Sequence, residues 1–554
     1  MTFRVILFLL FAVPWSTHAQ ALTPYSTGSC EPAQAETLLE TGNVRARIFN
    51  HGGLFWNRGL NKYEVPKGSG INGIFNANLI LGGFVNDELR MAGTSYGPYE
   101  FWPGPISQPG VSPADCSIFD RFWHLDHSSD FRAEDQLIAP SAQLLDWPTD
   151  LGAPFLEKNG EPGYQPDAGD LPFMNGDSQI WWVMNDLGNS HERTKTPPLS
   201  VEVRASAFGF KTTNELGNVT FYRYQIVNRG TETIHDMVVG MHQDIDLGNF
   251  ADDLLGTDTT HAMLYAYTEN NSDGSRNNPS HYGISPPALG FIILEASHQR
   301  GILPSDRGLP PSAHLTAARN IYGGGGATGD PVDGADFYSY MSGAWKDGVP
   351  MTEGGYGRDF STHPMPFWMP GDPVTGSYWS EMNVNGKGTR GHGSDRKSLL
   401  SYGDFDLAPG EWARFTFAIA WARGIDHLHS VTRLRTLAAE LHANREVLLA
   451  PRSLKAPIFM DGNPPETPQH PFWVDEPYPN PADNRVTLRM SLKWDAPMMI
   501  SVHDMLSRER LRESSPASPG PLMRTLDVSG WPPGLYVIRV SQRGDHIDWP
   551  LIVL

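Results

Sequence analysis

The chain has 554 residues, 40% of them hydrophobic and 11% aromatic, which excludes a disordered polypeptide and leaves room for two or three domains. Its formal net charge of −20 repels phosphate backbones and argues against a nucleic-acid partner. Glycine (56) and proline (46) are frequent while charged residues make up only 19%, a mix that favours short strands and many turns over long helices.

The first 21 residues read as an export signal. Arg4 supplies the positive charge, Val5 to Val13 forms a short apolar run, and Thr17, Ala19 and Ala21 are small, so cleavage is expected after Ala19 or Ala21. That run is too short to span a bilayer, and no later stretch is long and apolar enough, so no transmembrane segment is expected in the mature protein. The two cysteines, Cys30 and Cys116, lie in the exported part. The sequence leaves a disulfide and two separate thiols both open, and their spacing matches no metal or redox motif.

From Asn43 onward the chain is dense in glycine, aromatics and turn residues, as in His51-Gly52-Gly53-Leu54-Phe55-Trp56 and Tyr96-Gly97-Pro98-Tyr99-Glu100-Phe101-Trp102. Alternation marks strands at Val219 to Val227, with Tyr222, Tyr224 and Ile226 on one face. Trp412 to Trp421 does the same with Phe415, Phe417, Ile419 and Trp421. Asn228-Arg229-Gly230-Thr231 predicts a hairpin into a strand near Ile234, and Pro409-Gly410 a turn. Gly323 to Gly326 lacks the Lys-Ser/Thr of a phosphate-binding loop and reads as a plain loop. Leu428, Val431, Leu434, Leu437 and Leu441 recur at helical spacing and predict a helix over about 426–448. Prolines 451, 457, 464, 465, 468 and 471 then mark a linker.

The expected domains are a signal peptide at 1–21, a β-rich body at 22–449 with a subdomain split near residue 200, a Pro-rich linker at 450–475 and a C-terminal block at 476–554. The fold class is mainly β: an antiparallel β-sandwich body with one late helix, followed by a small β-sandwich.

The last block opens Tyr478-Pro479-Asn480-Pro481 and continues through Asp504-x-x-x-Arg508, Leu526-Asp527-Val528-Ser529 and Gly534-x-Tyr536-x-x-Arg539-Val540. These motifs, in this order, resemble the C-terminal sorting domain of type IX secretion system cargo from Bacteroidota and their relatives. Ser507 departs from the glycine usual in the turn before Arg508. The resemblance implies the type IX machinery as partner and export across the outer membrane of a Gram-negative bacterium, ending in release or attachment at the cell surface. The body is similar to uncharacterised secreted proteins that carry the same tail. Tyr63-Glu64-Val65-Pro66-Lys67-Gly68, Asp244-Ile245-Asp246-Leu247-Gly248 and Phe405-Asp406-Leu407-Ala408-Pro409-Gly410-Glu411 carry that likeness, which implies no activity.

No catalytic motif stands out in the body. The sharpest chemical feature is Asp244, Asp246, Asp252, Asp253 and Asp258, five carboxylates in fifteen residues with no basic residue among them. Crowded like charges favour a cation, and calcium prefers many oxygen ligands, so these five are the candidate calcium ligands; a solvated, turn-capping loop is the alternative. Asp170, Asp177, Asn185 and Asp186 read as turn caps around a buried strand. Glu381, His392 and Asp395 in a Gly-rich stretch are weak catalytic candidates. Trp56, Trp102, Trp123, Trp181, Trp182, Trp345, Trp368 and Trp379 suggest either sugar platforms for a carbohydrate ligand or ordinary core packing, and the second reading is favoured. The leading expectation is a secreted or surface-displayed, calcium-stabilised binding module without enzymatic activity. A glycan-active hydrolase with unrecognised carboxylates is the alternative.

Overall fold

The computed structural model describes residues 28–451 and 473–553, apart from 58–59, 62, 94, 98, 112, 114, 127–141, 159, 275–280, 299–314, 475–476, 493–495, 505–507, 519 and 543–544. The expected signal peptide, most of the expected Pro-rich linker and Ser507 lie outside the described residues. The chain divides into two compact units after residue 454.

The body is built on two antiparallel sheets. The first runs in the order Glu36–Thr41, Val44–Phe49, Gly53–Leu54, Asn76–Val85, Ile234–Ile245, Arg396–Leu407, Leu315–Ile321. The second runs Trp123–Asp126, Ser178–Asn185, Val201–Gly209, Val219–Asn228, Trp412–Ala422, Ala288–His298, Met263–Thr268, Asp253–Asp258. Strands from either side of residue 200 pair directly in both sheets: Asn76–Val85 with Ile234–Ile245, and Ser178–Asn185 with Val201–Gly209. The body is accordingly one unit, and a division near residue 200 has no counterpart in the pairing.

The sheets stack face to face because their strands alternate. Tyr222, Tyr224, Ile226, Phe415, Phe417 and Ile419 from the second sheet share one buried cluster with Leu79, Leu81, Val239 and Met241 from the first. Tyr402 meets Phe415 at 5.6 Å between ring centres, and the Tyr63 hydroxyl meets Thr220 Oγ1 at 2.9 Å across the interface. The opposite face of the Trp412–Ala422 strand carries Ala418, Ala420 and Ala422, small enough for the helix His427–Ala443 to lie close. Val431, Leu434, Leu437 and Leu441 cover that face, and Asp426 caps the helix by accepting from the His429 amide at 2.7 Å. The helix stops at Asn444 and a short second helix, Arg445–Leu449, follows.

The predicted hairpin at Asn228 is not one. Its two strands belong to different sheets, so the segment crosses from the second sheet to the first. The return crossing, at Pro409-Gly410, lies beside it: the Asn228 amide donates to the Glu411 carbonyl at 2.9 Å, and the Gly410 amide donates to the Asn228 carbonyl at 2.8 Å. Asn228 Nδ2 also donates to the Leu407 carbonyl at 2.8 Å. Turn chemistry fixed the bend, and burial of both strands' apolar faces chose the sheet.

Cys30 and Cys116 form a disulfide, with Cα atoms 5.5 Å apart, packed on Trp102.

The second unit is a small sandwich. Trp473–Val474, Arg485–Leu492 and Gly520–Asp527 form one sheet; Glu509–Ser515, Met498–Asp504, Gly534–Gln542 and Asp545–Val553 form the other. Val486, Leu488, Ile500, Val502, Ile538, Val540 and Leu551 fill it. The Tyr-Pro-Asn-Pro opening is stitched to the last strand, since Asn480 donates to the Pro550 carbonyl at 2.9 Å and accepts from the Ile552 amide at 2.8 Å. Asp504 binds Arg508 at 2.8 Å, which gives the spaced Asp and Arg of the motif a concrete role in closing that turn.

Candidate acidic cluster and aromatic cavity

The five crowded aspartates do not form one site. Asp244 lies near the end of a strand of the first sheet, whereas Asp253–Asp258 is a strand of the second. The chain crosses between sheets at Gly248 (φ +78°), whose amide donates to the Asn72 carbonyl at 3.1 Å, and this crossing divides the acids.

Asp244 and Asp246 stay together and are joined by Asp395, the three offering carboxylate oxygens within 4.8 Å of one another. Asp395 reaches them because its loop is pinned to the Asp252–Asp253 segment. The Ser394 amide donates to the Asp253 carbonyl at 3.2 Å, Arg396 Nε donates to the same carbonyl at 3.0 Å, and Gly393 lies so close to Asp252 that a Cβ would collide with its backbone. Asp244 is 8% exposed, and its Oδ1 has no hydrogen-bond partner among the described residues. Its Oδ2 accepts from the Tyr96 hydroxyl. Burial raises the Asp244 carboxyl to about 6 against the pull of that hydrogen bond. Burial, then the Asp244 and Asp395 charges, lifts Asp246 to about 7.

The other three aspartates have separate work. Asp253 is fully buried and accepts from the Leu247 amide at 3.1 Å; burial drives its carboxyl far above the usual range. Asp252 sits by Asp273, and burial and that charge raise it to about 6. Asp258 accepts from the Thr260 and His261 amides at 3.0 and 3.2 Å and meets His261 Nδ1 at 2.8 Å, so it is a cap.

The expected turn caps are found at Asp170 and Asn185, whereas Asp177 and Asp186 hold amides of segments distant in sequence. Asp170 accepts from the Lys158 and Gln165 amides, Asp177 from that of Lys211, Asn185 from that of Leu187, and Asp186 from those of Leu199 and Val201. Glu381, His392 and Asp395 do not converge: Glu381 is fully buried 3.1 Å from Arg396, His392 is exposed, and Asp395 belongs to the acidic cluster. Seven of the eight highlighted tryptophans are buried, which is the packing role; Trp56 is half-buried.

Trp56 lines a cavity of about 630 Å³ with Phe49, His51, Tyr96, Tyr99 and Phe101 among its walls. His51 stacks between Phe49, at 5.0 Å, and Tyr99, at 3.7 Å, and burial lowers its imidazole to about 3, so it is neutral. Gln34, Asn189, Ser190 and Glu192 add polar groups. Tyr96 belongs to both features, with its ring in the cavity and its hydroxyl on Asp244. Sequence order hides this, because Tyr96, Asp244 and Asp395 are far apart along the chain and carry no shared motif.

No curated protein matches the sequence. Among solved structures, a polysaccharide lyase aligns over 72% of this chain and 38% of its own at 9% identity and a TM-score of 0.18. Latent PorU from Porphyromonas gingivalis aligns over 68% and 31% at 11% identity and a TM-score of 0.16. The chain thus spans about a third of the length of each, and likenesses this distant carry no argument about the body. The tail is different: residues 476–553 match the secretion system C-terminal sorting domain family, on the unit whose opening motif and Asp504–Arg508 turn are described above. By that domain, the chain is cargo of the type IX secretion system, exported from the cell that makes it.

Proposed function

We propose that the body is a calcium-dependent carbohydrate-binding module that works outside the cell, released or held at the surface. The observation that carries this reading is Tyr96, which joins the acidic cluster to the aromatic cavity. Three carboxylate oxygens within 4.8 Å span about two calcium–oxygen bonds of ~2.4 Å. Without a cation, one of these carboxylates is buried with an unpartnered oxygen, an arrangement that costs about 1–3 kcal/mol. A cation here fixes Asp244, and through its hydrogen bond Asp244 fixes the Tyr96 ring. The cavity offers what sugars need: aromatic surface for C–H faces and amide, hydroxyl and carboxylate groups for hydroxyls.

The crowding also separates this reading from a glycan hydrolase. A retaining glycosidase sets its two carboxyls about 5–5.5 Å apart and an inverting one about 6.5–9.5 Å, on opposite sides of the bond they cleave. The oxygens here lie within 4.8 Å of one another, gathered as around one ion rather than set across a bond. The test is a glycan-array screen of the mature protein in calcium and in chelator. Binding that requires calcium and is lost in Trp56→Ala supports the module; an absence of glycan binding in both conditions, or hydrolysis of a bound glycan, overturns it.

A further inference from the structure

On the outer face of the second sheet, the face that the helix covers further along, lies a smaller cavity of about 100 Å³. Its floor is a polar stripe across neighbouring strands. Ser206 faces Arg223 across one strand pair, Arg204 faces Gln225, and Gln225 faces Arg414. Pro154 and Phe173 from the loop after the Trp147 turn close part of its rim.

Three guanidiniums line this one small space in a protein whose net charge is −20. Their carboxylate partners are too few. Glu202 is shared by Arg204, at 2.9 Å, and Arg229, at 3.0 Å; Glu295 is shared by Arg223, at 3.3 Å, and Arg414, at 3.7 Å. Among the described residues, four cations against two anions leave two positive charges in excess. Burial lowers the Arg223 guanidinium, and the Arg414 charge adds a smaller push in the same direction despite Glu295.

The three arginines are held differently. Arg223 is locked as a fixed wall, giving Nε to Thr416, Nη1 to Asn175 and Nη2 to the Leu449 carbonyl. Arg204 gives its Nε to Glu202, and Gly152 (φ +88°) packs so tightly on its guanidinium that a Cβ there would collide with it. Among the described residues, the Nη groups of Arg204 have no acceptor, which leaves them for a ligand. Arg414 stacks on Trp412 at 4.8 Å and stands beyond hydrogen-bond length from Glu295. Planar guanidinium forks of this kind match the paired oxygens of a carboxylate or sulfate. A cavity of about 100 Å³ has room for such a group.

We propose that this cavity is an oxyanion site that takes a carboxylate or sulfate group between Arg204, Arg223 and Arg414. The group neutralises the excess charge and occupies the free donors of Arg204 and Arg414. As a pendant of a larger ligand, it would let an acidic protein hold an acidic polymer that its overall field repels.

The experiment is isothermal titration of the full chain with sodium sulfate and, separately, sodium glucuronate, in buffer matched in ionic strength with chloride. Saturable one-site binding of at least one probe is expected, about tenfold weaker in Arg414→Gln and in Arg204→Gln. Sulfate alone would identify a sulfate-ester ligand, glucuronate alone a carboxylate, and both a general oxyanion site. Arg414→Lys, which keeps the charge and loses the fork, provides a milder variant should Arg414→Gln fail to fold, and it too should bind more weakly. The absence of saturable heat with both probes, or affinities unchanged in the folded variants, overturns the proposal.

Discussion

Tyr96 donates its hydroxyl hydrogen to Asp244 Oδ2, so one ring of the aromatic cavity is tied to a buried carboxylate. Replacing Tyr96 by Phe keeps the ring and removes the tie. The Asp244 carboxylate then loses a donor in a buried setting, and Tyr96→Phe is expected to cost about 1–3 kcal/mol, read from urea unfolding in chelator. Unchanged stability would show that the hydrogen bond does not hold the cluster.

The raised carboxyls set the direction of the pH response. In chelator, Asp244 at about 6 and Asp246 at about 7 keep protons that the unfolded chain, near ~3.9, has released. The native state therefore binds more protons than the unfolded state between about pH 4 and 7, and this contribution to stability is present at the acid end and lost as pH rises through the folded values. Asp246→Asn removes one such group without adding a charge. Its stability advantage over the parent in chelator should widen from about pH 4 to 7. A gap that is constant or narrows, measured by urea midpoints across that range, would contradict the assignment.

The Cys30–Cys116 bond closes a loop with a sequence separation of 86 residues. Reduction, or Cys116→Ser, is expected to lower stability by about 4–5 kcal/mol in the chain-entropy model. Thermal unfolding of the oxidised and reduced protein checks this, and equal midpoints would rule out a stabilising role.

Much of the architecture was legible because it rests on local periodicity. The strand with Phe415, Phe417 and Ile419 on one face reads the same in sequence and structure, as does the helix with Leu434, Leu437 and Leu441. The turn at Asn228 was legible as a turn, but which sheet the next strand joins depends on long-range packing that no turn residue records. The acidic site was half legible. Asp244 and Asp246 were visible as crowded charges, whereas Asp252, Asp253 and Asp258 fall beyond the sheet crossing at Gly248, and Asp395 and Tyr96 arrive from distant segments. Trp56 could not be told from its buried counterparts, because indole burial is set by neighbours remote in the chain.

The sorting domain has its own core and forms a separate compact unit. Deleting residues 476–554 is therefore expected to leave the body folded and trap it in the periplasm. Cell fractionation reads the outcome, and truncated protein in the medium at normal yield would contradict the export role of the tail.

Thermal melts of the mature protein in chelator, calcium and magnesium decide whether Asp244, Asp246 and Asp395 hold a calcium ion. Calcium at a hundredfold excess over its dissociation constant should stabilise by about 2.7 kcal/mol. Magnesium should do less, because it demands a tighter octahedral shell. Asp246→Asn and Asp395→Asn should each reduce the calcium response, while Asp258→Asn, outside the three-carboxylate cluster, should retain it. Coincident melting curves in all three solutions, or a calcium response unchanged by Asp246→Asn and Asp395→Asn, would contradict the site.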